Sequence, residues 1–104
     1  MDDHYFTVAK VGDLKPGQFK GFRLKKRELI LYNLNGEFFC TEAECLHMGA
    51  DLSVGFMEGD KIVCPLHMWK YNVKTGRCSF DGSMKLNTYP VRITGTQVQV
   101  KIED

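Results

Sequence analysis

The stretch CLHMGADLSVGFMEGDKIVCPLH, residues Cys45 to His67, decides how this chain is read, because it holds two Cys-His pairs, Cys45/His47 and Cys64/His67. Thiolate and imidazole are the side chains that bind borderline and soft transition metals, and four of them this close together suggest a metal site. The sixteen residues from Met48 to Val63 are enough chain for a hairpin to bring the two pairs face to face. Each loop then offers one sulfur and one nitrogen. A tetrahedral structural zinc site uses the same donors, so a zinc-binding structural module is one reading. Zinc fingers, however, keep their cysteines together and their histidines together, whereas each loop here mixes them.

The pattern C-x-H-x16-C-x2-H resembles the signature of the Rieske iron-sulfur family. Around it, Gly49, Ala50, Leu52, Ser53 and Gly55 match the family's first loop, Ile62 and Pro65 its second, and Thr75-Gly76 its following turn. The resemblance implies one 2Fe-2S cluster per chain, with Cys45 and Cys64 on one iron and His47 and His67 on the other. Histidine ligation of this kind raises the potential to about −150 to +300 mV. It also implies an all-β fold: a Rieske-type antiparallel β-sandwich with a two-loop cluster-binding subdomain, loops at about 43–50 and 62–70, within a single domain spanning 1–104.

High-potential members of the family place a Ser two residues and a Tyr four residues after the second His as hydroxyl donors to sulfur. This chain has Trp69 and Tyr71 there. Those members also tie the two loops with a disulfide, at positions that are Ala50 and Leu66 here. The chain therefore resembles the soluble, low-potential ferredoxin branch. Met48, Gly49, Leu66 and Trp69 are candidates to cover or tune the cluster with Tyr71, and Leu46, Met48, Leu66 and Met68 would form an apolar rim around it. The family commonly closes its site with a proline-containing loop; FDGSMKL, residues 80–86, has no proline.

Composition is that of an ordinary globular domain, 43% hydrophobic and 26% charged over 104 residues. A net charge of +1 gives no global attraction to nucleic acid. The start, MDDHYFTVAK, has two acids where a signal peptide needs positive charge, and no apolar run is long enough to span a bilayer. A cytoplasmic location is expected.

Strands are expected at Tyr5–Lys10, Phe19–Leu24, Leu29–Leu34, Glu37–Thr41 and Asp60–Val63, with alternation at Trp69, Tyr71 and Val73. Asn35-Gly36 is the clearest hairpin signal, since both central residues of a type I′ turn need positive φ. Lys25, Lys26 and Arg27 form a basic run, read as a solvated hairpin tip or a patch for an acidic redox partner. Gly49, Gly55 and Gly59 break the region between the ligand pairs into turns. Tyr89–Thr94 and Gln97–Ile102 read as a terminal hairpin with one buried face. Cys40 reads as a buried, unliganded thiol, with a bridge to Cys78 as the other possibility.

The function these features imply is a soluble one-electron carrier between a flavin reductase and a terminal oxygenase. It would have no substrate of its own, since nothing in the chain suggests a catalytic pocket. A Rieske-like small subunit of an assimilatory nitrite reductase is the alternative within the same cofactor class.

Overall fold

A computed structural model describes residues 4–45, 49–66 and 68–102. Its strands are β1 (Tyr5–Lys10), β2 (Phe19–Leu24), β3 (Arg27–Leu34), β4 (Glu37–Glu42), β5 (Phe56–Glu58), β6 (Lys61–Val63), β7 (Lys70–Asn72), β8 (Thr88–Tyr89), β9 (Val91–Thr94) and β10 (Gln97–Lys101). They form three antiparallel sheets, in the orders β1-β10-β9, β2-β3-β4-β8 and β5-β6-β7. Helical structure among the described residues is confined to 3-10 turns at Val11–Asp13 and Leu52–Val54. None of it is long and apolar enough to cross a membrane.

β3 is the middle layer. Its run Leu29-Ile30-Leu31-Tyr32 is buried throughout because both faces are covered, which turns the usual alternation into a continuous apolar stretch. Leu29 and Leu31 pack with Leu14, Cys40, Val98, Val100 and Ile102 under the terminal sheet. Ile30 and Tyr32 face the opposite way, into a core shared with Leu52, Ile62, Tyr71, Val73 and Leu86. At about 1.5–3 kcal/mol for each fully buried large side chain, β3 anchors both interiors.

The turns set the register. Asn35 and Gly36 have φ of 54° and 94°, as the type I′ reading requires. The preceding Asn33 is buried and satisfied, its Oδ1 accepting from the Gly36 N–H at 2.7 Å and its Nδ2 donating to the Leu14 carbonyl at 2.7 Å. The basic run divides differently from expectation. Lys25 and Lys26, with φ of 52° and 66°, are the two-residue turn itself, while Arg27 already begins β3 opposite Leu24.

Two further boundaries moved. The expected strand Tyr89–Thr94 is split at Pro90: β8 pairs with β4 and β9 with β10. Proline has no N–H to give a ladder, so it marks the crossing between sheets. The terminal hairpin is correspondingly half-covered, with Val98 and Val100 buried but Ile93 46% exposed. The turn-rich segment between the ligand pairs contains β5, which is too short for alternation to register.

Candidate metal centre

Cys45 follows β4 and Cys64 follows β6, so each thiol leaves the end of a strand fixed on a core. Leading into the first loop, Ala43 donates its N–H to the Glu28 carbonyl at 3.0 Å and accepts from Leu52 N–H at 2.7 Å. Glu44 and Asp51 form an isolated antiparallel bridge. Leading into the second, the chain at Gly55 lies directly on β6, where a Cβ would sit 2.0 Å from the Val63 carbonyl oxygen. Only glycine allows that approach, and it fixes the backbone immediately before Cys64.

The two loops share one hydrogen-bond frame. Cys45 N–H donates to the Ala50 carbonyl at 2.8 Å and its carbonyl accepts from Gly49 N–H at 2.7 Å. Cys64 N–H donates to the Trp69 carbonyl at 2.7 Å and its carbonyl accepts from Met68 N–H at 3.1 Å. The donor to each cysteine carbonyl stands four residues on, in the left-handed region: Gly49 at φ 68° and Met68 at φ 59°. Glycine adopts that conformation freely, whereas a side chain raises its cost by about 1–2 kcal/mol. The second loop thus holds its shape with a methionine where the first uses glycine.

Both thiols are buried, Cys45 1% and Cys64 0% exposed, and both belong to the same core. Tyr71 on β7, itself 0% exposed, lies with its hydroxyl 3.3 Å from the Cys45 Sγ. Although it follows the second ligand pair in sequence, it reaches the cysteine of the first loop. Trp69 is partly buried against this core, and it fixes Cys64 through its carbonyl. Leu66 and Met68 are 59% and 50% exposed, an apolar rim on the second loop. Gly49 is exposed beside Glu44, whose Oε2 would lie 3.1 Å from an added Cβ. His47, His67, Leu46 and Met48 lie outside the described residues.

The other two cysteines separate. Cys40 packs in the Leu29/Leu31 core, where burial pushes its thiol up to about 12. Cys78 sits in the core of Cys45 and Cys64, on an isolated bridge to Tyr71. Both are free thiols in different interiors, so no bridge joins them. The place of Cys78 in this core was not foreseen, and a lone cysteine in an irregular segment carries no pattern that would reveal it.

The third loop lacks proline but is fastened by hydrogen bonds. Ser79 N–H donates to the Lys70 carbonyl at 2.8 Å, Cys78 N–H to Met84 at 3.0 Å and Leu86 N–H to Gly76 at 2.8 Å. Asp81 Oδ1 accepts from both the Ser83 hydroxyl, at 2.6 Å, and the Ser83 N–H, at 3.0 Å. These bonds, the hydroxyl first, hold the Asp81 carboxyl below the usual carboxylate range.

Two buried thiols in one apolar core, with a buried phenol on one of them, suit a thiolate-bound metal group. The phenol can donate to a sulfur that carries charge, and the surroundings exclude water. Among the described residues no three His, Cys, Asp or Glu side chains stand together closely enough to hold a metal ion.

Comparison with known proteins agrees with this chemistry. The family model for the Rieske [2Fe-2S] domain matches residues 4–90. The ferredoxin component of the naphthalene 1,2-dioxygenase/salicylate 5-hydroxylase systems of a Ralstonia species is 35% identical over 104 residues, covering 99% of this chain and 100% of the relative. Among solved structures, the ferredoxin of carbazole 1,9a-dioxygenase from Nocardioides aromaticivorans IC177 superposes with a TM-score of 0.89 at 25% identity, covering 97% of this chain and 100% of that one. A chain from a complex of reduced oxygenase and oxidized ferredoxin in carbazole 1,9a-dioxygenase gives 0.87 at 30% identity, covering 96% of this chain and 94% of that one. The chain belongs to the Rieske [2Fe-2S] domain family and carries that family's single two-iron cluster.

Proposed function

We propose that this protein is a one-electron carrier that accepts electrons from a flavin reductase and delivers them to a terminal oxygenase. Cys45 and Cys64 hold one iron of its cluster, and His47 and His67 the other, in loops 43–50 and 62–70. The observation that carries the reading is the matched pair of cysteine loops closing on one buried core, with Tyr71 on Cys45. When bound, the cluster supplies a site that stores and releases one electron.

The chain's own residues set the terms of that exchange. The Tyr71 hydroxyl lies 3.3 Å from the Cys45 sulfur, and to an iron-bound thiolate it would be the donor, which would favour the more electron-rich state and raise the potential. Both cysteine N–H groups are spent on backbone carbonyls, and Trp69 stands where a hydroxyl donor would. Glu44 and Asp51, both exposed on the first loop, add negative charge that favours the oxidised state, weakened by solvent. The balance suits a low-potential carrier. The exposed Leu66 and Met68 give a partner an apolar surface beside the second cysteine. A cavity of about 510 Å³ lies elsewhere, lined by Phe38, Cys40, Val73, Tyr89, Pro90 and Ile93 among others. A cytoplasmic location fits the two cysteines outside the proposed ligand set, Cys40 and Cys78, standing as unpaired thiols, since oxidising compartments pair them.

The test is single-turnover electron transfer. Holoprotein reduced with dithionite and mixed with the oxygenase component of the Ralstonia system should be reoxidised within the turnover time of that oxygenase. A reduced protein that keeps its electron in the presence of the oxygenase would contradict the assignment.

A further inference from the structure

The third loop presents a feature that the carrier reading does not use. Phe80 is 67% exposed, yet its ring is held against Trp69 with centroids 5.6 Å apart and planes at 37°. Trp69 is fixed in turn by the hydrogen bond from Cys64 N–H to its carbonyl. The hairpin beneath Phe80 is braced by the Cys78–Met84 bond and by the Asp81–Ser83 turn. An exposed aromatic side chain already in contact with a neighbouring ring gives up less freedom on binding, so it is a ready anchor.

The base of the same hairpin carries a second signal. Arg77 and Lys85 form an isolated antiparallel bridge, and both are exposed. Like charges set directly opposite each other destabilise a strand pair. Among the described residues neither is paired with a carboxylate. A surface bearing carboxylates would relieve that repulsion.

We infer that the hairpin Arg77–Lys85 is a docking arm, with Phe80 entering an apolar socket on the terminal oxygenase and Arg77 and Lys85 meeting carboxylates at the socket's edge. This rests on the carrier reading and names the surface through which it works. The oxygenase is the occupant because a chain of similar fold and near-equal length is solved in complex with its oxygenase. The arm adjoins the second cysteine loop through Trp69, so a partner seated on it is brought beside the cluster. The reductase is the competing occupant.

The experiment is calorimetric titration of the holoprotein with the oxygenase component of the Ralstonia system and, separately, with a flavin-dependent ferredoxin reductase. Phe80→Ala should weaken oxygenase binding by about 30-fold, the size of an interface hot spot, with an unchanged visible spectrum and reduction potential. The double variant Arg77→Gln, Lys85→Gln should weaken it about 5-fold at low salt, the difference vanishing at high salt. Wild-type affinity in both variants would overturn the docking arm while leaving the carrier function standing. A loss confined to the reductase would overturn the choice of occupant. Failure of the wild-type protein to bind the oxygenase would overturn the carrier reading and the arm with it.

Discussion

The two interiors on either face of β3 are built from different chemistry. Under the terminal sheet, Leu29 and Leu31 meet Leu14, Val98, Val100 and Ile102, with Cys40 acting as a small hydrophobe. On the other face, Ile30 and Tyr32 meet three thiols, Cys45, Cys64 and Cys78, and the ring of Tyr71. Its hydroxyls are each placed on a partner: Tyr32 on Thr41 Oγ1 at 2.8 Å, Tyr71 on Cys45 Sγ at 3.3 Å. The buried residues of the first core are aliphatic apart from Cys40, and the second core contains both cysteines proposed to hold the cluster. One strand therefore joins an aliphatic platform to the lobe that carries the proposed ligands.

The largest effect should come from removing a proposed ligand. Cys45→Ser, Cys64→Ser, His47→Ala and His67→Ala should each abolish the visible absorption of the cluster. Hydrogen exchange should then accelerate in β5, β6 and β7 while β3 and β10 keep their protection. Equal loss of protection in β10 would mean that the two interiors unfold as one.

Substitutions on the two faces of β3 sharpen the contrast. Leu31→Ala and Ile30→Ala should each lower stability by about 2–5 kcal/mol in denaturant titration. Leu31→Ala should leave the reduction potential and the rate of iron loss to a chelator unchanged, whereas Ile30→Ala should accelerate iron loss.

Alkaline pH addresses the platform. Burial raises the Cys40 thiol from its ordinary 9.0 to about 12, so between those values the unfolded chain loses a proton that the folded chain retains. Stability should be unaffected by this group below pH 9.0 and fall between 9.0 and 12, by up to about 1.4 kcal/mol per pH unit. Cys40→Ala should make that part of a stability-against-pH curve less steep, the buried Tyr32 phenol, also raised by burial, keeping its own share above pH 10.0.

The smallest effect belongs to Tyr71. Tyr71→Phe removes one hydroxyl from Cys45 and should lower the reduction potential by roughly 40 mV, about 1 kcal/mol for one electron, in a redox titration with folding intact. An unchanged potential would make Tyr71 a packing residue.

Much of this was legible in the sequence because the decisive signals are local. Asn35-Gly36 forces its turn through backbone sterics, and the Cys-His spacing carries the family resemblance directly. The expected strands β1 and β2 match residue for residue. What was not legible depends on long-range packing. Pro90 splits a regular alternation between two sheets, a choice made by which strand edges are free. The lysines at positions 25 and 26 occupy a turn that local propensity assigns to glycine or asparagine. At the site, the partner of Tyr71 and the place of Cys78 follow from how β7 and the third loop fold onto the first, which no spacing rule encodes.

The proposed ligands of the two-iron cluster are Cys45, His47, Cys64 and His67. This assignment is tested most directly by electron paramagnetic resonance of the dithionite-reduced protein, purified without added metal, with iron and zinc quantified on the same sample. The spectrum should show a Rieske-type low-average-g signal with two irons per chain, lost in His47→Ala and in His67→Ala. A silent, zinc-loaded protein, or a signal unchanged in either variant, would contradict the assignment.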